Sequence, residues 1–165
     1  MSNISTEKLF DYHKHNLVYI GDYIKFADQK AGVAITLNIA LIGFFFNYIR
    51  KANFEEHIVA KVFLIIGIVT LVLSILCFLF KVLWPRYNED PNQYMSWGGI
   101  ASFPDAQDYA ASFSSRNEEH FVKDMAEQNY FLADVCLKKY KFLRLGFILF
   151  SLGTVLATIS WIFDK

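Results

Sequence analysis

Charge is absent from three long stretches of this chain. Residues 31–49, 62–80 and 145–163 contain no Asp, Glu, Lys or Arg. Buried helices of a soluble bundle keep a polar face, so runs this uniform weigh against one. Proline is scarce, three in 165 residues, and none interrupts these runs. Cysteine is rarer still, two in all. Cys77 lies in an apolar run and Cys136 in a polar segment, which argues against a disulfide framework. Excess charge of either sign is missing too. Lys+Arg number 16 and Asp+Glu 16, with a sequence pI near 6.9, so bulk charge does not point to nucleic acid.

Catalytic signatures are also lacking. The sequence holds no Ser/His/Asp set, CxxC pair, HExxH, P-loop or GxGxxG, and Gly98-Gly99 alone is not a phosphate loop. His13 and His15 are two apart and do not share a helix face. His120 beside Glu118 and Glu119 reads as a surface cluster. The expectation is a protein that is not an enzyme and has no metal site and no cofactor.

What is present is hydrophobic: 55% of residues, with a mean hydropathy of +0.29. Each charge-free run is about 19 residues, close to the ~20 that cross a hydrocarbon core as helix. In lipid the backbone must satisfy its own hydrogen bonds, which makes helix the spanning form. The expected fold is an all-α membrane protein with three transmembrane helices and a cytoplasmic helical domain. Its segments are a cytoplasmic amphipathic helix at 1–30, spans at 31–49 and 62–84, a periplasmic connector at 50–61, cytoplasmic loop and helices at 85–143, and a third span at 144–163. Trp84 suits the interfacial belt and Pro85 a helix stop. Glu7, Lys8, Asp11 and Lys14 precede the first apolar run, which is not the layout of a cleaved signal peptide. The first span is expected to serve as its own insertion signal.

The N-terminal helix carries Leu9, Leu17, Ile20, Ile24 and Ala27 on one stripe. Tyr12, Tyr19, Tyr23 and Phe26 form a second beside it. That face is too broad for a lone helix in water, and the partner predicted is the helix at 116–143, running parallel. Residues 86–103 read as loop. Pro104 is placed at a first helical position of a short helix, and Ser115-x-x-Glu118 has capping-box spacing. No breaker separates the following helix from the third span, so 116–163 reads as one rod about 70 Å long.

Lys14, Lys25, Lys30, Lys81, Arg86, Lys138, Lys139, Lys141 and Arg144 fall on one side of the spans. Arg50, Lys51, Lys61 and Lys165 fall on the other. The richer side is expected to be cytoplasmic, which puts the N-terminus in the cytoplasm and the C-terminus on the opposite side.

Two sets of residues can carry function. Small and polar residues recur at helical spacing: Gly32, Asn38 and Gly43 in the first span, Gly67 and Ser74 in the second, Gly146, Gly153 and Ala157 in the third. Such stripes let helices approach closely in lipid, either within one chain or between copies. The second set sits where charge ends. Asp28, Lys30, Lys138, Lys139, Lys141 and Arg144 admit an ion pair of Asp28 with Arg144 or Lys141, a basic rim for anionic headgroups, or a contact to a ligand phosphate. Tyr140, and Trp97 with Gly98 and Gly99 as a lid, add aromatic and close-approach elements.

The motifs Phe26-Ala-Asp28-Gln-Lys30-Ala31-Gly32, Trp97-Gly-Gly-Ile-Ala, and Gln128-Asn129-Tyr130 followed by Lys138-Lys-Tyr140-Lys141-Phe-Leu-Arg144 resemble one bacterial family. It is the transmembrane effector family of Pycsar, the pyrimidine cyclase system for antiphage resistance. The resemblance covers nearly the whole chain. It implies that a partner cyclase makes cyclic UMP or cyclic CMP during phage infection. The effector senses that nucleotide and disrupts the inner membrane, causing abortive infection, with a homo-oligomer implied. The nucleotide-binding residues expected on this reading are Asp28, Lys30, Trp97, Gly98, Gly99, Lys138, Tyr140, Lys141 and Arg144. The alternative is a constitutive membrane scaffold, or a channel or transporter subunit, with no nucleotide ligand. A transporter is disfavoured by spans that carry no charge.

Overall fold

The computed structural model describes residues 5–50, 57–85 and 96–163. Among the described residues every regular element is helical. α1 spans Thr6–Ile49, α2 Ile58–Cys77, α3 Trp97–Ala101, α4 Ala106–Ser114 and α5 Glu118–Phe163. α2 continues as a π-helical turn over Phe78–Leu83. The all-α architecture is as expected. Three helices are long and apolar enough to cross a membrane: Thr6–Ile49, Ile58–Leu83 and Glu118–Phe163. Parts of the connector and loop placed at 50–61 and 86–103 lie outside the described residues, at 51–56 and 86–95.

Several local starts differ from the sequence reading. Pro104 does not head α4. Asp105 does, its Oδ1 accepting the N–H groups of Gln107 and Asp108 at 2.8 and 2.7 Å. Ser115 does not cap α5. Asn117 does, its Oδ1 accepting the His120 N–H at 3.1 Å. In both cases a short carboxylate or amide satisfies first-turn N–H groups that would otherwise be orphaned. Within the expected loop, Trp97–Ala101 closes into one helical turn because Ser96 Oγ accepts the Gly99 N–H at 2.9 Å.

The chain divides into two compact units. One joins Met1–Lys25 to Pro85–Leu137, the other Phe26–Trp84 to Lys138–Lys165. In the first unit the N-terminal part of α1 meets α5, since the Asn129 side chain donates to the His13 carbonyl at 3.0 Å. Met125 and Val135 are its most buried apolar residues on α5. Arg116 and Asp124 form an ion pair at 2.7 Å near the start of α5.

The second unit is a three-helix bundle with two core layers. Ala27, Ala31 and Ala34 of α1 pack with Phe78, Val82 and Leu143. Further along, Phe45, Leu64, Leu71 and Ala157 form the other layer. Alanines three and four apart give α1 a smooth inward strip. Between α2 and α5 the approach is closer still. A Cβ on Gly67 would lie 2.7 Å from the Ala157 backbone nitrogen, and one on Gly153 2.9 Å from Leu71 Cγ. One on Gly146 would collide with the Phe78 ring. The π turn brings Phe78 and Val82 both fully inward.

Candidate functional site

The place where charge stops is built by two helices. α1 supplies Asp28 and Lys30, and α5 supplies residues 138–144. Helical periodicity decides which lysines on α5 face inward. Val135, Lys139 and Leu143 are four apart and all buried. Lys138, Lys141 and Arg144 fall on other faces and are exposed. The inward cation is therefore Lys139, a residue outside the set expected to bind ligand, and it takes the place of Arg144 or Lys141 as the partner expected for Asp28. Its ammonium donates to Asp28 Oδ1 at 2.5 Å, with the Lys139 side chain 5% and the Asp28 side chain 36% exposed. The sequence did hold a signal for it: Lys139 interrupts the apolar stripe of Val135 and Leu143.

The other cations on this end are arranged differently. Lys30 places its ammonium 5.0 Å from the Phe26 ring centroid and 6.0 Å from that of Tyr140. Lys81 lies 5.7 Å from the Phe142 ring. Aromatic faces attract such ammonium groups through the ring quadrupole. Lys141 and Arg144 make no ion pair among the described residues. Against Lys30, Lys81, Lys138, Lys139, Lys141 and Arg144, Asp28 is the single acid that this end of the described bundle presents. An anion would meet a positive potential here, strengthened by the apolar surroundings.

Trp97, Gly98 and Gly99 belong to the first unit, whereas Asp28, Lys30, Lys138, Tyr140, Lys141 and Arg144 belong to the second. The first unit has a polar cluster that the sequence reading did not single out as a site. Asn129 Nδ2 lies 3.0 Å from the His13 carbonyl and 3.1 Å from His13 Nδ1. Asn129 Oδ1 and Gln128 Oε1 are buried without a hydrogen-bond partner. Gln128 and Asn129 had entered only as part of a familiar sequence motif. No group of His, Cys, Asp or Glu among the described residues is arranged to hold a metal ion. Tyr19, whose hydroxyl bonds that of Tyr23, titrates above the ordinary phenol range for that reason first.

The small-residue positions separate into two kinds. Gly67, Ser74, Gly146, Gly153, Ala157 and Asn38 are buried inside the bundle of one chain. Asn38 Nδ2 donates to the Ala34 carbonyl at 2.9 Å and contacts Ser74 Oγ at 3.4 Å. Ser74 Oγ in turn donates to the Gly146 carbonyl at 2.9 Å. This polar seam touches all three spanning helices. Gly32 and Gly43 have open space where a Cβ would stand. With Thr36, Ala40 and Asn47 they leave a face of α1 largely uncovered.

Comparison with known proteins bears on what this arrangement serves. The family model described as the Pycsar effector protein domain matches residues 12–163. A Staphylococcus aureus protein, Pycsar effector protein SaPycTM, is 30% identical over 155 residues, covering 93% of this chain and 95% of that protein. No solved structure matches the chain.

Proposed function

Because the chain belongs to the Pycsar effector family of antiphage defence, we propose that it senses cyclic UMP or cyclic CMP from a partner cyclase and then disrupts the inner membrane. The observation that carries this reading is the exposed pair Lys141 and Arg144. They stand unpaired among the described residues, on the helix that continues as the third span. A cyclic nucleotide brings one phosphate charge and a flat base. The Arg144 guanidinium offers that phosphate a planar fork, and Lys141 and Lys138 add charge. Tyr140 lies within the same turn as a stacking surface. Stacking contributes ~1–3 kcal/mol per base and a charge-assisted hydrogen bond a similar amount, so two or three contacts reach micromolar affinity.

Binding changes the membrane only if the ligand prefers a different arrangement of the helices. The Asp28–Lys139 pair is the contact most directly exposed to such competition. A phosphate beside Lys138 and Lys141 draws on the same positive patch that holds Asp28 against α5. Assembly into a homo-oligomer is part of the proposal. Its support is the open α1 face around Gly43 and the exposed tyrosines Tyr12, Tyr19 and Tyr23, since uncovered apolar patches on a polar unit mark contact surfaces.

The test is calorimetric titration of the full chain in detergent with cyclic UMP, cyclic CMP and cyclic AMP. Tight binding of one pyrimidine nucleotide is expected, weakened at least tenfold by Arg144→Ala with Lys141→Ala. Co-expression with a pyrimidine cyclase should admit a membrane-impermeant dye, whereas the effector alone should not. Absence of binding to all three nucleotides, together with no dye entry, rejects the reading.

A further inference from the structure

An open-sided groove of about 280 Å³ lies on the bundle surface, lined by Phe26, Gln29, Lys30, Val33, Ala34, Leu37 and Phe147. Ala34 is 2% exposed and forms its floor, while Phe26, Val33, Leu37 and Phe147 are exposed walls. Along α1 it runs on from the charge step at Lys30 to residue 37, about 10 Å at ~1.5 Å per residue. That is about two thirds of the ~15 Å depth of one leaflet of a ~30 Å hydrocarbon core.

The polarity of the lining is graded. Gln29 and Lys30 lie at the end where charge ends in the sequence, and only apolar residues follow. Lys30 has no acidic partner among the described residues, because the nearby Asp28 is taken by Lys139. Its ammonium rests by the Phe26 and Tyr140 rings instead. A groove with one unpaired cation at the mouth and hydrocarbon walls below matches an amphiphile with an anionic head.

We propose that this groove holds one anionic phospholipid, with its phosphate on Lys30 and Gln29 and an acyl chain along Val33, Ala34, Leu37 and Phe147. A nucleotide fits it poorly, since a ribose would lie against hydrocarbon with no polar partners. The inference does not depend on the nucleotide reading.

The experiment is native mass spectrometry of the full chain in mild detergent, titrated with phosphatidylglycerol or with phosphatidylcholine of identical acyl chains. One lysine at a membrane surface supports about a fivefold preference for the anionic lipid. Lys30→Gln is expected to abolish that preference and leave phosphatidylcholine binding unchanged. Leu37→Ser, which puts a hydroxyl on an exposed apolar wall of the groove, should weaken both lipids. Lys61→Gln, at the opposite end of the bundle, should change neither. Equal binding of the two lipids, or a preference that survives Lys30→Gln, overturns the proposal. So does competition by soluble glycerol phosphate as effective as that of the whole lipid. A disulfide between copies carrying Val33→Cys in membranes also overturns it, because a second chain then occupies the groove.

Discussion

At the scale of single residues, the Asp28–Lys139 pair is asymmetric. The Lys139 side chain is 5% exposed and that of Asp28 36%. Removing Asp28 leaves a nearly buried ammonium without its carboxylate. Removing Lys139 leaves a carboxylate that can rehydrate. Loss of one partner from a buried pair costs ~3–5 kcal/mol, so Asp28→Ala is expected near the lower end, about 3 kcal/mol, and Lys139→Leu at about 1 kcal/mol. Denaturant unfolding in micelles measures both, and equal losses would sink the argument. The Asn38–Ser74–Gly146 seam is worth less than its position suggests. Hydrogen bonds between membrane helices average ~0.6 kcal/mol, because the separated helices also find partners. Which lysine faces inward was readable from the four-residue spacing of Val135, Lys139 and Leu143. That Lys139 meets Asp28 was not, because the pairing depends on the register between two helices far apart in sequence.

At the scale of elements, the bundle is held by close approach of α2 and α5, and two glycine substitutions should have opposite signs. At Gly67 a Cβ meets the Ala157 backbone nitrogen at 2.7 Å, and backbone cannot yield as a flexible side chain can. Gly67→Ala is expected to cost ~1–3 kcal/mol through overpacking. At Gly43 nothing lies within 4 Å, and replacing a helix-interior glycine gains up to ~1 kcal/mol of helix propensity. Gly43→Ala should therefore be neutral or stabilising in the same unfolding assay, and a loss there as large as at Gly67 would contradict the packing account. Both glycines look alike in the sequence. Capping shows the same limit. Pro104, Asp105, Ser115 and Asn117 are all plausible starting residues, and the path of the chain selects Asp105 and Asn117.

At the scale of the whole molecule, orientation follows from charge placed beside the spans. Lys30, Lys81, Lys139, Lys141 and Arg144 crowd one end of the bundle, while Arg50 and Lys61 mark the other. The positive-inside bias predicts that the first end is cytoplasmic. A reporter active only in the periplasm should be active when fused at His57 and silent at Asp105. The reverse pattern would invert the molecule and remove a cytoplasmic nucleotide from reach of Lys141 and Arg144. Three spans and the continuous rod of α5 were legible beforehand, because uncharged runs of spanning length with no breaker leave the backbone one solution in lipid. The contact division at Lys25/Phe26 and Leu137/Lys138 falls about one and a half to two turns before the charge steps after Lys30 and at Arg144. The bundle core persists into the charged region through Ala27, Tyr140 and Leu143.

The sequence by itself determined the helical class, the number of spans, the level at which charge ends and the resemblance to a family. These follow from composition and spacing along one chain, which local physics reads directly. Tertiary structure alone decided which small residues are covered, which amide and hydroxyl meet at mid-span, and which carboxylate the buried lysine meets. Those outcomes depend on the rotation and register of one helix against another. A single step of about 100° around a helix turns the same residue from core to surface.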